Sequence, residues 1–216
     1  MDEALEKIKK LKIGRLAIMG GTFDPVHYGH LVTAETVRTK YNFDKILFIP
    51  SGNPPHKSRK DISLCEHRYN MLQMATITNP YFEVSRIEMD RKGSSYTIDT
   101  IKELRAALGN RVDIYFITGA DALLEILTWK NPSELLHECK LIAVTRPGYE
   151  KDVLTGKVEE LKNEFNSDII SIDVPAYEIS STDIRSKVSL GLSIKYLVPE
   201  YIEQYILKNN LYRISE

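Results

Sequence analysis

The chain has 216 residues, 43% of them apolar, which is enough for one large core or two small ones without metal or disulfide staples. Its 29 basic and 30 acidic residues nearly cancel, so no global positive field exists to hold a nucleic-acid backbone, and any polyanion must be held locally. Cys65 and Cys139 are too few for a disulfide framework and too far apart for a Cys-x-x-Cys site, which fits a reducing, cytoplasmic setting.

The opening "MDEALEKIKKLKIGR" is charged throughout and carries no apolar run of signal-peptide length. No later stretch approaches about 18 uninterrupted apolar residues, so no membrane partner is expected. Ala4, Leu5, Ile8 and Leu11 recur at helical spacing. Residues 1–14 therefore read either as a short amphipathic helix docked on the body or on a partner, or as a frayed end. Apolar runs rich in β-branched and aromatic residues follow at 15–19, 45–50, 112–118, 140–145 and 168–174, and read as buried strands. Residues 82–89, "FEVSRIEM", alternate more and predict a strand nearer an edge. Helical periodicity fills the intervals at about 28–40, 64–78, 97–108, 120–127, 132–139 and 152–165. The alternation predicts an α/β fold, a doubly wound Rossmann-like parallel sheet with helices on both faces. "SGNPPHKSRK" (51–60) is the clearest long loop. From about residue 180 the pattern is helical only, with Pro199 as a first-turn starter and Asn209 and Asn210 near the stop. The division expected is a leader over 1–14 and a single domain over 15–216 that ends in a small helical tail.

The stretch "IMGGTFDPVHYGH" (18–30) concentrates the chemistry. "GGTFDP" begins where the first strand ends, and open α/β sheets bind ligands beyond the carboxyl ends of their strands. Gly20 and Gly21 allow a ligand close to the main chain. "HYGHLVTAETV" begins a helix whose first amides lack intrahelical partners and whose positive dipole end favours anions. His27 and His30 project from one side of that first turn, with Gly29 keeping the space between them open. The physical reading is a phosphate cradle with two imidazole donors. A dinucleotide-binding redox module would need G-x-G-x-x-G, which is not present here. A His-x-x-His zinc site lacks an obvious third ligand unless the fold brings Cys65 and His67 near. A tight turn with incidental histidines stays open on these residues alone.

"GGTFDPVHYGH" resembles the signature of the nucleotidyltransferase superfamily with the [H/T]-x-G-H motif, in which the final His and the preceding His or Thr contact ATP phosphates. "ISSTDIR" (179–185) resembles that superfamily's distal phosphate-binding motif. The strongest resemblance is to bacterial nicotinate-nucleotide adenylyltransferases and covers almost everything after residue 13. "NPPHK" (53–57), "SSYTIDT" (94–100), "GADALLEILTWKNPSEL" (119–135), "TRPG" (145–148) and "VPEYIEQYILKNNLY" appear in that family's order.

The resemblance implies transfer of AMP from ATP to nicotinic acid mononucleotide, giving nicotinic acid adenine dinucleotide and pyrophosphate, in NAD biosynthesis. A phosphate monoester is already a near-dianionic nucleophile, so no covalent enzyme intermediate is needed. The obstacle is charge repulsion: two unit charges at 4 Å and an effective dielectric of about 20 interact by about 4 kcal/mol. Positioning contributes on the order of 7 to 11 kcal/mol in well-oriented systems. Mg²⁺ is expected through the ATP phosphates, with no metal site on the protein.

On this reading Gly20, Gly21, Thr22 and Phe23 offer the phosphates backbone amides, and Thr22 also its hydroxyl. His27, His30 and Arg185 carry the catalytic role, with Ser181 and Thr182 meeting the same phosphates. Arg146 assists ATP and Asp121 meets a ribose or a metal-bound water. Lys57, Ser95, Tyr96, Thr97, Trp129 and Lys130 take the acceptor. Each has a plainer reading: Lys57 as a solvated loop lysine, Ser181 as part of a helix cap, Arg146 as a surface ion pair, Trp129 as core. Two features depart from the family: Lys130 stands where many relatives carry an aromatic residue, and the leader before Gly14 is long. The rival functions are a pantetheine-phosphate adenylyltransferase or another nucleotidyltransferase of the same fold, and a non-catalytic ATP-binding sensor. Self-association into a homo-oligomer stays open.

Overall fold

The computed structural model describes residues 2–54, 62–145, 151–175 and 178–213. In chain order the elements are α1 (Glu3–Lys10), β1 (Arg15–Gly21), α2 (Tyr28–Tyr41), β2 (Lys45–Pro50), α3 (Cys65–Thr76), β3 (Phe82–Val84), α4 (Ile87–Asp90), α5 (Thr97–Leu108), β4 (Asp113–Gly119) and α6 (Ala120–Leu124). A 3₁₀ turn at Ile126–Thr128 leads to α7 (Pro132–Glu138), β5 (Lys140–Thr145), α8 (Lys151–Phe165), β6 (Ile169–Asp173), α9 (Ser181–Ser189) and α10 (Glu200–Lys208).

All six strands are parallel, in the order β3-β2-β1-β4-β5-β6. The chain builds outward from β1 to β3, then returns to the other side of β1 with β4. The gap between the carboxyl ends of β1 and β4 is therefore the topological switch point, the usual ligand position in such sheets. Alternation along the strands sends Leu16, Ile18, Leu47, Ile49 and Phe116 to one face, where they pack with α1, α5 and α7. Ala17, Met19, Ile46, Phe48 and Ile117 go to the other face and pack with α2, α3, α9 and α10. These two cores are why the central strands are apolar throughout rather than alternating.

The leader is a docked helix: Ala4, Leu5 and Ile8 are buried in the first core, and the Asp2 carboxylate caps α1 by accepting the Leu5 N–H at 3.1 Å. The same carboxylate explains why the strand expected over 82–89 stops at Val84. It accepts the Arg86 N–H at 2.7 Å and also takes the Ser85 hydroxyl, while Ser85 Oγ accepts the Ile87 N–H at 3.2 Å. Those amides are captured by side chains, and the chain turns into α4 instead of extending the sheet edge. Two smaller differences concern punctuation. Pro199 lies at the N-cap of α10 rather than within its first turn. The segment read as one helix at 120–127 breaks at Glu125 into α6 and the 3₁₀ turn.

Candidate active site

A cavity of about 380 Å³ opens at the switch point, with Met19 and Gly20 from β1 and Ile117, Thr118 and Gly119 from β4 at its base. His27, Gly29, His30 and Thr33 of α2 form one wall, and Ser180 and Ser181 at the start of α9 form another. Val144, Val174, Pro175 and Ile179 complete it with apolar surface. Two helix N-termini thus face one cavity of mixed polar and apolar lining, and each adds a positive dipole end and amides without intrahelical acceptors.

His27 is the N-cap of α2 and His30 occupies its third position. Their rings stack 3.7 Å apart, and the Phe23 ring meets His30 edge-on at 5.0 Å. His27 is 5% exposed, so it underlies His30, which is the more accessible of the two. The His27 N–H donates to His30 Nδ1 at 3.3 Å. An Nδ1 that accepts leaves the ring proton on Nε2, so His30 presents a donor to the cavity. A Cβ added at Gly29 would lie 3.0 Å from His27 Nδ1 and 3.1 Å from its Cε1, so glycine is what lets the stacked pair fit against the helix.

The distal motif reaches the same place. Arg185 Nη1 donates to the Asp24 carbonyl at 2.8 Å, Nη2 donates to Thr182 Oγ1 at 3.3 Å, and Ser181 Oγ donates to the Pro25 carbonyl at 2.9 Å. Ser180 is the cap, accepting the Asp183 N–H at 3.0 Å, which frees Ser181 to tie the two motifs together. The buried Asp24 carboxylate accepts the Ser63 N–H at 3.1 Å and the Tyr212 hydroxyl at 2.7 Å. Burial, with the Asp24 charge beside it, pushes the Tyr212 hydroxyl well above the usual phenol range, so it stays a proton donor there.

The residues expected to take the acceptor gather on the neighbouring edge. Ser51 N donates to the Gly21 carbonyl at 2.9 Å, which joins the chain after β2 to the end of β1. Ser95 Oγ accepts the Gly52 and Asn53 amides, each at 3.1 Å, and a Cβ at Gly52 would lie 2.1 Å from the Glu88 carbonyl. Tyr96 is the N-cap of α5 and Thr97 its first residue. Lys130 Nζ lies 4.5 Å from the centre of the Tyr96 ring and pairs with Asp99 at 2.9 Å. Trp129 is half-buried and edge-on to Phe116 at 6.1 Å, and that same Phe116 ring packs under Gly20. Trp129 thus borders both the core and the edge. Asp121 is exposed in the first turn of α6 and is not among the residues lining the cavity. Lys57 and Arg146 lie outside the described residues.

Two residues at the site escape sequence reading. Glu88 is buried, and desolvation raises its carboxyl above the ordinary range, although the Thr100 hydroxyl donates to it at 2.7 Å and Ser95 also bonds it. Arg68 is 1% exposed and contacts the carbonyls of Thr22, Ser51 and Ser63. Its signal was available: Arg68, Met71, Leu72 and Ala75 form the buried stripe of α3, and a guanidinium in that stripe demands buried acceptors. Cys65 and His67 do not join the histidine pair; Cys65 Sγ donates to the Gly52 carbonyl at 3.2 Å and His67 Nδ1 is 2.9 Å from the Tyr205 hydroxyl. Among the described residues no three His, Cys, Asp or Glu side chains converge as a metal site. Among the same residues no helix is long and apolar enough to cross a membrane.

A doubly wound sheet with a phosphate-type cradle at its switch point defines an α/β nucleotide-binding enzyme of the nucleotidyltransferase class. The chain belongs to the cytidylyltransferase-like family, whose model matches residues 18–187, and within it to the nicotinate-nucleotide adenylyltransferases. It is 54% identical over 202 residues to a protein of Thermoanaerobacter sp. (strain X514) named a probable nicotinate-nucleotide adenylyltransferase, covering 94% of this chain and 96% of the relative. A relative of the same name from Moorella thermoacetica is 54% identical over 200 residues, covering 93% and 92%. The fold is similar to that of Plasmodium falciparum nicotinic acid mononucleotide adenylyltransferase solved with NaAD, with a TM-score of 0.76 at 23% identity over 92% of this chain and 97% of that one.

Proposed function

We propose that this chain transfers AMP from ATP to nicotinic acid mononucleotide, by direct in-line attack of the acceptor's 5′-phosphate on the α-phosphorus, with pyrophosphate leaving. The observation that carries the reading is the convergence of the stacked His27 and His30 and the start of α9 around one cavity at the β1/β4 switch point, with Arg185 joined to the loop between β1 and α2 through the Asp24 carbonyl. The apolar side formed by Val144, Val174 and Ile179 suits the adenine base, which puts the phosphates against the two helix N-termini. His30 Nε2–H then stabilises charge on the α-phosphate and the departing pyrophosphate, with Arg185, Ser181 and Thr182 meeting the outer phosphates. Gly20, Gly21, Thr22 and Phe23 supply the backbone side of the cradle.

The acceptor lies along the edge formed by Asn53, Ser95, Tyr96, Thr97, Trp129 and Lys130. Its pyridinium ring is positively charged, so a Trp129 face would favour it by about 0.5 to 2 kcal/mol. The nicotinate carboxylate then suits Lys130, which can trade part of its contact with Asp99 for the ligand because that pair is largely exposed. Lys57 and Arg146 are proposed to reach the acceptor phosphate and ATP, and Asp121 a ribose or metal-bound water. Mg²⁺ is carried by the nucleotide, where it neutralises phosphate charge. The two free thiols suit a cytoplasmic enzyme.

The test is pyrophosphate release from ATP and Mg²⁺ with nicotinic acid mononucleotide, nicotinamide mononucleotide or phosphopantetheine as acceptor. Turnover is expected mainly with nicotinic acid mononucleotide. Equal or better turnover with phosphopantetheine overturns the assignment, and tight ATP binding without any pyrophosphate release would make the chain a sensor.

A further inference from the structure

Arg68 is the most buried charged group in the molecule's second core, and the functional reading so far leaves it unused. Its recorded partners are all uncharged: Nε donates to the Ser63 carbonyl at 3.1 Å, Nη1 to the Thr22 carbonyl at 2.8 Å, and Nη2 to the Ser51 carbonyl at 2.7 Å and to Cys65 Sγ at 3.2 Å. Burying a charge on carbonyl acceptors is a costly way to fill a helix stripe, since an aliphatic side chain would occupy the same space without desolvation. What an aliphatic residue could not do is hold the β1–α2 loop and both ends of the β2–α3 loop to one rigid planar fork.

Those two loops are the ones read as meeting ligands. Thr22 belongs to the segment after β1, on the ATP side, and Ser51 to the segment after β2, on the acceptor side. In a trans peptide the carbonyl and the following N–H point in opposite directions within one plane. Only Asp24–Pro25 is cis among the described bonds, so the Thr22–Phe23 and Ser51–Gly52 planes both obey this rule. With the Thr22 carbonyl turned onto Arg68, the Phe23 N–H is turned away from α3. The Ser51–Gly52 plane is pinned at both ends, its carbonyl by Arg68 and the Gly52 N–H by Ser95 Oγ at 3.1 Å. The Pro25 carbonyl is held by Ser181 Oγ, whereas Arg185 holds the Asp24 carbonyl, whose peptide runs into Pro25 and has no N–H to orient. An anion cradle needs amides facing in and carbonyls facing out, and Arg68, behind the loop on α3, holds the Thr22 carbonyl out. A cation on a carbonyl also polarises its peptide, which strengthens the N–H on the far side as a donor.

We propose that Arg68 is a positioning residue for adenylyl transfer: it orients the Thr22–Phe23 and Ser51–Gly52 peptides and so sets the spacing between the triphosphate loop and the acceptor loop. The proposal rests on the reading of the two loops as ATP and acceptor sides. Misplacement of reacting groups by about 1 Å can cost on the order of 100-fold. Arg68→Met, which keeps the apolar stem and removes the fork, should therefore lower kcat by about 100-fold, with a much smaller change in the KM of either substrate. Arg68→Lys keeps the charge but cannot hold the three carbonyls in the geometry of a planar fork, and should recover only part of the loss.

The experiment compares both variants with Leu72→Ala, a core truncation on the same helix whose side chain holds no loop carbonyl, at a temperature where all are folded. It also records the amide ¹H and ¹⁵N resonances of Phe23 and Gly52 without any nucleotide. The expected result is displaced Phe23 and Gly52 resonances and the kcat loss in the Arg68 variants, with wild-type-like kcat and unmoved Phe23 and Gly52 resonances in Leu72→Ala. If Arg68→Met does not fold, Arg68→Lys is read by the same two measurements. Unmoved resonances, or a kcat no lower than that of Leu72→Ala, overturns the proposal. Because the resonances are read without substrate, a clamp that fails is distinguishable from an acceptor assignment that fails.

Discussion

At the end of β1 the ligand-facing surface is chiefly backbone braced from behind, whereas at the start of α5 it is chiefly side chains braced against one another near solvent. The first region has Arg68, Arg185 and Ser181 holding carbonyls, and a buried His27 stacked under His30. The second has Lys130 over Tyr96 and paired with Asp99, with side chains 41% and 33% exposed. A site that must stabilise a crowded triphosphate in one geometry gains from rigidity, because only interactions made in the transition state raise kcat. A site that recognises an acceptor can tolerate softer contacts, since losing them chiefly weakens binding.

That contrast can be broken at its strong end first. His30→Ala and Arg185→Ala should each lower kcat at least about 100-fold, on the order of 2.7 kcal/mol in transition-state stabilisation, with circular dichroism and the thermal transition close to wild type. Mild losses in both would reduce the cradle to a structural turn. At the softer region, Trp129→Ala should raise the acceptor KM about tenfold while kcat and the ATP KM change little, as loss of a ring contact implies. An unchanged acceptor KM would return Trp129 to a purely core role against Phe116.

The smallest expected effect concerns Glu88, beneath the acceptor edge. Burial raises its carboxyl, so the folded state binds this proton more tightly than the unfolded chain does. Its contribution to stability is therefore present below the ordinary value of 4.5 and is lost as pH rises through the raised folded value. Urea melts across that window should show the stability of wild type relative to Glu88→Gln declining with rising pH. A flat difference would mean that Glu88 is better solvated than its position implies.

The same contrast explains what could be read without coordinates. The β1–α2 segment is contiguous, so Gly20, His27, Gly29 and His30 fall within one short stretch and can be read together, although a plain turn stays open on those residues alone. The distal Ser181, Thr182 and Arg185 were readable because a cap and a fork adjoin in sequence. The acceptor edge is assembled from residues 52–53, 95–97 and 129–130, and family likeness rather than spacing brought them together. Arg68 was missed because its partners are carbonyls, which every residue has, so no pattern marks them. The strand expected over 82–89 is present at the sheet edge but ends at Val84 for a long-range reason, the capture of the Arg86 amide by Asp2 from the start of the chain. The doubly wound parallel sheet, though not the order of its strands, followed from alternating apolar runs and helical periods.

The most direct test of one triphosphate gripped by both motifs is a double-mutant cycle on kcat with His30→Ala and Arg185→Ala. Groups acting on the same phosphates as a unit are predicted to be non-additive, with the double variant losing clearly less than the product of the single losses, a coupling of about 1 kcal/mol or more. Full additivity, with each residue acting as though the other were elsewhere, would contradict the account.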